Sequence, residues 1–436
     1  MIASLLLSAA LVSHAFAATS GSFSVLTYNV AGLPELLSSG NPETNTPLIS
    51  PKLAPYNIIH VQEDFNYHAA LYANDNHAYR TPTSGGVPFG SGLNTLSDFP
   101  YTDLERITWS KCNLNEGDCL TPKGFTFMRV RVADGVLVDF YNLHTDAGSD
   151  SGDRDARTSN FAQVRDYIAK WSQGMPVVVM GDTNSRYTSD VDSDSLHNIL
   201  DAAGLTDSWV KNVRGGSFPV KGTSALTCPF PFASGTSQST INACETVDKF
   251  LVRGSTAVSL VASSFKNDHL SFVNSSGAPL SDHYPLLSTL TWTLSDTVRL
   301  SDPIAGGPHG DPFTDLPSLN PVKRLSSVTI RAGDRVDAVS INGGTARGGS
   351  GGTASTLTLG SNERVTQVTG CTGKKSDTSR VFYVKFTTDT GKVLEGGKST
   401  SDCQTVNAPD DGWGLVGFWG RSGDEVDRLG IVWGKV

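Results

Sequence analysis

The chain has 436 residues, of which 38% are hydrophobic and 18% charged. This composition excludes a disordered or fibrous protein, and the length exceeds what one ordinary core serves, so two or three domains are expected. A formal net charge of −9 argues against tight nonspecific binding to nucleic acid, which needs a basic surface to displace counterions; it does not exclude a hydrolase that makes only transient contact.

Residues 1–18, "MIASLLLSAALVSHAFAA", have an apolar centre too short to span a bilayer, followed by the small residues Ala15, Ala17 and Ala18. They read as a secretory signal peptide. No later segment is long and apolar enough to cross a membrane, so a secreted, extracellular protein is expected. The six cysteines agree, because an even count in a secreted chain favours disulfides. Proximity pairs Cys112 with Cys119, Cys228 with Cys244, and Cys371 with Cys403. No C-x-x-C is present, so zinc and thioredoxin-type readings have no motif to rest on. Asn274-Ser275-Ser276 is an N-glycosylation sequon.

Over residues 19–295, the apolar runs "FSVLTYNV", "YNIIHVQ", "VLVDFYNL", "PVVVMGD" and "DKFLV" alternate with segments suited to helices or long loops. In "SGDRDARTSNFAQVRDYIAKW", Phe161, Val164 and Ile168 recur at helical spacing behind Ser and Asp residues suited to an N-cap, which predicts a helix. The chain then turns rich in Asp, Pro and Gly, and residues 296–302 read as a linker. Over 303–436, short β-prone runs such as "LSSVTIRA", "RVDAVSI", "STLTLG" and "RVFYVKFTT", separated by Gly, Asp and Asn, predict an all-β domain.

Polar residues at the strand ends of the first half are suited to chemistry. Asn29 follows "FSVLTY", Glu63 follows "IIHVQ", His144 follows "VDFYNL", and Asp182 and Asn184 follow "VVVM". Asp248 opens "DKFLV", and Asp282-His283 sits in "LSDHYPL". Each alone has a plain structural reading as a turn, cap or core residue. Together they supply what a hard divalent cation such as Mg²⁺ requires, which is carboxylates and carboxamides converging at strand ends.

In chain order, "TYNVAGLP", "VQEDF", "YNLHTDAG", "GDTN", "VDKFLV" and "SDHYPL" resemble the motifs of the endonuclease/exonuclease/phosphatase superfamily over roughly residues 22–292. The resemblance implies an α/β four-layer sandwich, two β-sheets flanked by helices, with the site at one end. It implies Mg²⁺ or another divalent cation on Glu63, aided by Asn29, with Asp282 nearby. Asp182 and Asn184 would orient water and phosphate, His283 would be the general base oriented by Asp248, and His144 would bond the phosphate or protonate the leaving oxygen. His144 disfavours the abasic-site endonuclease branch, which carries Tyr there.

The substrate class is less constrained. Asn29-Val30-Ala31-Gly32-Leu33-Pro34 is similar to the N-x-x-G-I-P of animal neutral sphingomyelinases, which leans the reading to phospholipid head-group cleavage with peripheral membrane contact. Phe230, Phe232, Phe265, Leu270 and Phe272 would then face the membrane, or else pack under a long loop. The alternative is a secreted DNase I-like endonuclease, for which Arg80, Arg106, Arg129, Arg131, Arg154, Arg157 and Arg186 are available along a groove. A third reading is a catalytically inactive glycan-binding protein.

In the second half, "GGPHGDPFTDL" and "GLVGFWGRSGDEVDRLGIVW" resemble the jacalin-related lectins, which implies an all-β β-prism of three four-stranded sheets over 303–436. On this resemblance Gly423-Asp424-Glu425-Val426-Asp427 is the G-x-x-x-D sugar loop, and Asp427 anchors the ligand. Gly307 and Gly310 would let a sugar approach the backbone closely. Glu425 stands where many relatives place an aromatic residue. Because chain precedes the glycines, a mannose- or glucose-type glycan is expected rather than galactose.

Overall fold

The structure, a computed structural model, describes residues 18–38, 40–319 and 321–436. The signal peptide expected over 1–18 therefore lies, apart from Ala18, outside the described residues. Twelve strands build the first domain: β1 (Ser20–Asn29), β2 (Ile58–Gln62), β3 (Tyr79–Arg80), β4 (Asn94–Ser97), β5 (Tyr101–Thr108), β6 (Gly124–Ala133), β7 (Val136–His144), β8 (Val177–Asp182), β9 (Thr206–Asp207), β10 (Asp248–Arg253), β11 (Val258–Asn267) and β12 (Leu286–Leu294). They form two six-stranded sheets, ordered β11-β12-β1-β2-β4-β3 and β5-β6-β7-β8-β10-β9.

Side chains alternate between the faces of each strand, and the alternation sets the layers. Phe23, Val25 and Ile58 of the first sheet share a core with Val138, Phe140, Val178 and Met180 of the second. The other face of the first sheet buries Leu26, Tyr28, Ile59 and Val61 against Ile49 and Leu71, which come from the helices Pro42–Ile49 and His68–Tyr72. On the second sheet, Phe125, Phe127 and Tyr141 pack on Tyr167 of the helix Ser151–Trp171. That helix is the predicted one. Its capping box joins Asp150 and Asp153, and Phe161, Val164 and Ile168 are buried. Helix, sheet, sheet and helix give the expected four layers.

The second domain is the expected β-prism of three antiparallel sheets. Its long strands Trp413–Ser422 and Val426–Lys435 are buried along nearly their whole length. The segment 296–302, read as a linker, carries the strand Val298–Leu300, which pairs with Val432–Gly434. Its apolar Val298 and Leu300 are buried, and this burial draws the segment into the prism sheet. All three disulfides pair as proximity predicted, and no cysteine is free.

The two domains share a packed junction. Val416, Trp419 and Val432 of the prism belong to the core of the first domain. Arg129, forked onto Asp139 at 2.7 and 2.9 Å, lies over the Trp419 ring at 5.2 Å. Arg421 lies 4.6 Å over Trp171. Asp103 on β5 accepts from Arg428 at 2.7 and 2.5 Å and pairs with Arg421 at 3.2 Å, with its side chain only 1% exposed. Burial opposes ionisation of Asp103, but the two guanidiniums outweigh it and hold the carboxyl below its usual range. An enclosed ion pair is costly to break, because the surviving charge is left unpaired away from water. Asp103→Ala strands two such arginines and is expected to cost about 3–5 kcal/mol, measured by denaturant unfolding. Limited proteolysis should detect new cleavage at the junction in the variant.

Candidate active site

The sequence places each functional residue at the end of a strand, and the pairing registers bring those ends together. β7 and β8 run parallel with His144 opposite Asp182, and Asp248 on β10 faces Asp182 from the other side. Asn29 closes β1 opposite Gln62 of β2, so Glu63 is the next residue out. Close approach of β7 and β8 requires Gly181: a Cβ there would sit 2.1 Å from the Leu143 carbonyl oxygen. Glu63 and Asn184 turn away from their strands with φ of 58° and 45°. A left-handed backbone of this kind costs energy in a non-glycine residue and is characteristic of functional sites.

Asp182 is the hub. Its Oδ2 accepts from Asn29 Nδ2 at 3.2 Å and lies 3.4 Å from His144 Nε2 and 3.5 Å from His283 Nε2. Its Oδ1 accepts the Asn184 N–H at 2.9 Å. Asn29 Nδ2 also donates to Glu63 Oε1 at 3.1 Å. His283 Nδ1 contacts Asp248 Oδ2 at 3.0 Å, and Asn184 Nδ2 donates to the Thr145 carbonyl at 3.1 Å. Asp282 is exposed beside Ser281, whose hydroxyl donates to the Asn29 carbonyl at 2.6 Å.

Charge is unbalanced here. Burial raises the Glu63 and Asp248 carboxyls above their usual range, although Lys123 pulls Glu63 down and His283 pulls Asp248 down. Asp182 is also opposed by burial, but His283, the Asn184 N–H and Lys123 hold it below its usual range. Burial alone would lower His283; Asp248 and Asp182 outweigh it and hold the ring well above the ordinary histidine value. Among the described residues, Asp248 Oδ1 is buried without a hydrogen-bond partner. The ligand atoms of Asp182, Asp248 and His283 lie within 4.8 Å of one another and could hold a metal ion. Beside them the Glu63 carboxyl, raised by burial and bonded by Asn29, and the Asn29 carboxamide add further oxygen donors, and this oxygen-rich, net negative end of the sheets fits a hard divalent cation held on Glu63.

The residues read from the sequence as a sugar loop also meet. Gly310, at φ +74°, backs onto Asp427 so closely that a Cβ would lie 2.1 Å from its Oδ2. Gly307 N–H donates to the Asp427 carbonyl at 2.7 Å, and Gly423 N–H to the Glu425 carbonyl at 3.0 Å. Asp427 Oδ1 pairs with Arg380 at 2.8 Å. Gly423 and Asp424 are exposed. Glu425 is different: it is forked by Arg335 at 2.6 and 2.6 Å and held by Lys375 at 2.8 Å, which push its carboxyl down to about 2. Its carboxylate braces the loop.

Family comparisons agree with both halves. The endonuclease/exonuclease/phosphatase family 2 model matches residues 43–213, and the jacalin-like lectin domain model matches 303–432. The chain joins an endonuclease/exonuclease/phosphatase domain to a jacalin-like lectin domain. A sphingomyelinase of Mycobacterium tuberculosis is 40% identical over 275 residues, covering 61% of this chain and 52% of that protein. The chain thus spans about half the length of the mycobacterial relative. Horcolin of Hordeum vulgare is 30% identical over 143 residues, covering 30% of this chain and 97% of that lectin. Sphingomyelinase C of Streptomyces griseocarneus superposes with a TM-score of 0.42 at 19% identity, over 62% of this chain and 99% of that one.

Two features of the phosphatase-family and lectin domains escaped the sequence reading. Lys123, one residue before β6, contacts Asp118 and reaches His144 Nε2 at 3.1 Å. No motif marks it; its only signal is a position at the site end of a strand beside the 112–119 disulfide. The lectin domain also carries a second G-x-x-x-D at Gly333–Asp337, where Gly333 N–H donates to Asp337 Oδ2 at 3.1 Å. An ammonium has no lone pair, so His144 must accept from Lys123 at Nε2, which leaves Nδ1, buried and unpartnered, as the N–H. Burial first, and then Lys123, lower His144 to about 3. His144 is therefore neutral, a hydrogen-bonding group and not an imidazolium. Lys123→Met should raise the His144 pKa, measured by NMR titration of the ring carbon signals.

Proposed function

We propose that the first domain is a secreted, Mg²⁺-dependent phosphodiesterase of sphingomyelinase type, and that the lectin domain targets it to a mannose- or glucose-type glycan. The observation that carries the catalytic reading is the convergence of Asn29, His144 and His283 on one buried Asp182 carboxylate, next to the His283–Asp248 contact and to Glu63. A phosphodiester is anionic and gathers charge on the transferring group, so a site that hydrolyses it needs cationic and N–H groups aimed at oxygen, together with a base for water.

In this reading Glu63, with Asn29 and Asp282, holds the cation. The cation, when bound, supplies positive charge to the phosphoryl oxygens and offsets the carboxylates that keep His283 protonated. His283 Nε2 then takes the proton of the attacking water while Asp248 fixes the ring through Nδ1. Asn184 and Asp182 orient water and phosphate at the mouth of the strands. Lys123 donates a hydrogen bond to a phosphate oxygen, and His144, which accepts from Lys123 at Nε2, positions that ammonium; a ring that stays neutral is poorly suited to give up a proton. As the water oxygen bonds phosphorus, the phosphorus–oxygen bond to the lipid alcohol breaks; the departing alkoxide takes a proton from solvent and leaves as the free alcohol, and the phosphorylated head group remains.

Support for a phospholipid over nucleic acid comes from two sides. The mycobacterial relative is named a sphingomyelinase. The arginines that a nucleic-acid groove would use are largely engaged elsewhere. Arg106 bonds Leu93, Pro82 and Asn94, Arg129 bonds Asp139, Arg131 bonds Asp134 and Asp302, and Arg157 bonds Asp192. Of the apolar residues considered for membrane contact, Phe232, Phe265 and Phe272 are buried in the core, and Phe230 and Leu270 are exposed.

Glu63→Gln and His283→Ala should each lower sphingomyelin hydrolysis by about 10²-fold or more. EDTA should abolish the activity and Mg²⁺ restore it, with plasmid DNA left intact. Near wild-type rates in both variants would sink the assignment. Asp427→Ala should abolish glycan-array binding while leaving hydrolysis of a small soluble phosphodiester unchanged.

A further inference from the structure

A cavity of about 250 Å³ adjoins the candidate site, with Asn184 in its wall. Its lining is polar: only Gly148 and Ala225 lack a polar side chain. Three arginines, Arg154, Arg157 and Arg186, line it with a single carboxylate, Asp192, on a chain whose net charge is −9. Cationic charge is thus gathered beside the site against the trend of the whole molecule.

One of the three arginines is structural. Arg157, on the helix Ser151–Trp171, forks Asp192 at 2.9 and 3.2 Å and donates to the carbonyls of Asp146, Ala147 and Gly148 at 3.3, 3.3 and 2.8 Å. Its donors are used, and the Asp192 charge is matched. Ser189 Oγ donates to Asp192 Oδ2 at 2.9 Å, Thr188 Oγ1 to Glu245 Oε2 at 2.8 Å, and Gly222 N–H to the Thr188 carbonyl at 3.0 Å. These bonds fix the floor and walls, so the cavity is formed before any ligand arrives.

Arg154 and Arg186 are different. Both are half-buried, and among the described residues neither guanidinium has an ion-pair or hydrogen-bond partner; Arg186 Nε is buried with nothing to donate to. A guanidinium drawn out of water without an acceptor loses hydration that a bound anion would replace. Nearby, burial lowers the Lys249 ammonium below its ordinary range against the pull of Asp207 and Glu245, and Arg186 adds to the lowering. A further anion in this corner would relieve both cations.

We propose that this cavity is an anion subsite, in which Arg154 and Arg186 receive a second phosphate carried by the head group of the substrate. The inference rests on the phosphodiesterase reading above and narrows its preferred substrate to a lipid phosphodiester with a phosphorylated polyol head. The lipid portion is apolar and gains nothing from such a lining, so the polar half of the substrate is the part that reaches it. Two guanidiniums offer forked N–H donors that match the oxygens of a phosphate. A choline head group is cationic and leaves the subsite empty.

The test uses the full chain and its turnover of bis-p-nitrophenyl phosphate, which carries no second anion. Inhibition constants are measured for an inositol bisphosphate, an inositol monophosphate, phosphocholine and inorganic phosphate. The bisphosphate should inhibit at least about tenfold more tightly than either monophosphate. Arg154→Gln and Arg186→Gln should each remove that advantage and keep both the uninhibited turnover and the inhibition by inositol monophosphate, and Arg186→Lys should restore part of it. Circular dichroism checks that each variant is folded, and calorimetric titration with the bisphosphate reads the subsite independently of turnover. Equal inhibition by the bisphosphate and the monophosphates, or an advantage that survives both substitutions, overturns the proposal. So does inorganic phosphate that binds as tightly as the bisphosphate, which makes this a site for a free ion. A thymidine bisphosphate that inhibits more tightly than the inositol compound also overturns it, by making the ligand a nucleic acid. Arginine-dependent binding of the inositol bisphosphate by a protein without hydrolytic activity supports the subsite and overturns the phosphodiesterase reading.

Discussion

A buried carboxylate with no charge partner of its own strand is untenable, and the first domain is arranged around satisfying one. Asp182 sits at the end of a fully buried strand, where burial opposes its ionisation. It stays ionised because the first sheet sends Asn29, the loop before β12 sends the His283 cation, and the chain just beyond β8 turns the Asn184 N–H back onto it. Asn29 and His283 come from positions about a hundred residues or more from Asp182 in the chain, so the anion depends on both sheets having closed. The same convergence is what a phosphodiester and its cation would use, and fold and site therefore share one electrostatic requirement.

The second constraint is the junction. Asp103 stands between two arginines of the lectin domain, and Trp419 lies under Arg129 inside the core of the first domain. With enclosed charges and a shared apolar core, the domains are one packed body. The helix Ser151–Trp171 begins beside the site and ends at this junction, and 21 residues of helix span about 31 Å. The lectin domain therefore stands at the end of the sandwich opposite the loops that carry the candidate site.

Within the lectin domain the loop read as the sugar loop is reinforced at the point where the sequence looked weakest. Glu425 replaces an aromatic residue and acts as a brace instead, because Arg335 and Lys375 clamp its carboxylate and so fix the backbone that carries Asp427. Gly310 leaves the space into which the Asp427 carboxylate fits.

Much of this was legible in the sequence because strand-end polar residues have a local signature: an apolar run that stops at Asn29, Glu63 or Asp182, or that opens at Asp248, announces both a strand and a functional end. Short-range cysteine spacing likewise gave all three disulfides, and the periodicity of Phe161, Val164 and Ile168 gave the long helix. Tertiary structure alone decided the rest. Lys123 carries no motif and joins the site only because β6 lies beside β7. Arg106, Arg129 and Arg157 look like any surface arginine until packing turns them inward onto Asn94, Asp139 and Asp192. The 296–302 segment has the composition of a linker, yet Val298 and Leu300 find a β-edge in the prism. Local patterns report which side chains a strand or helix buries; which charges face one another depends on register between strands distant in sequence, and that is fixed only when the sheets assemble.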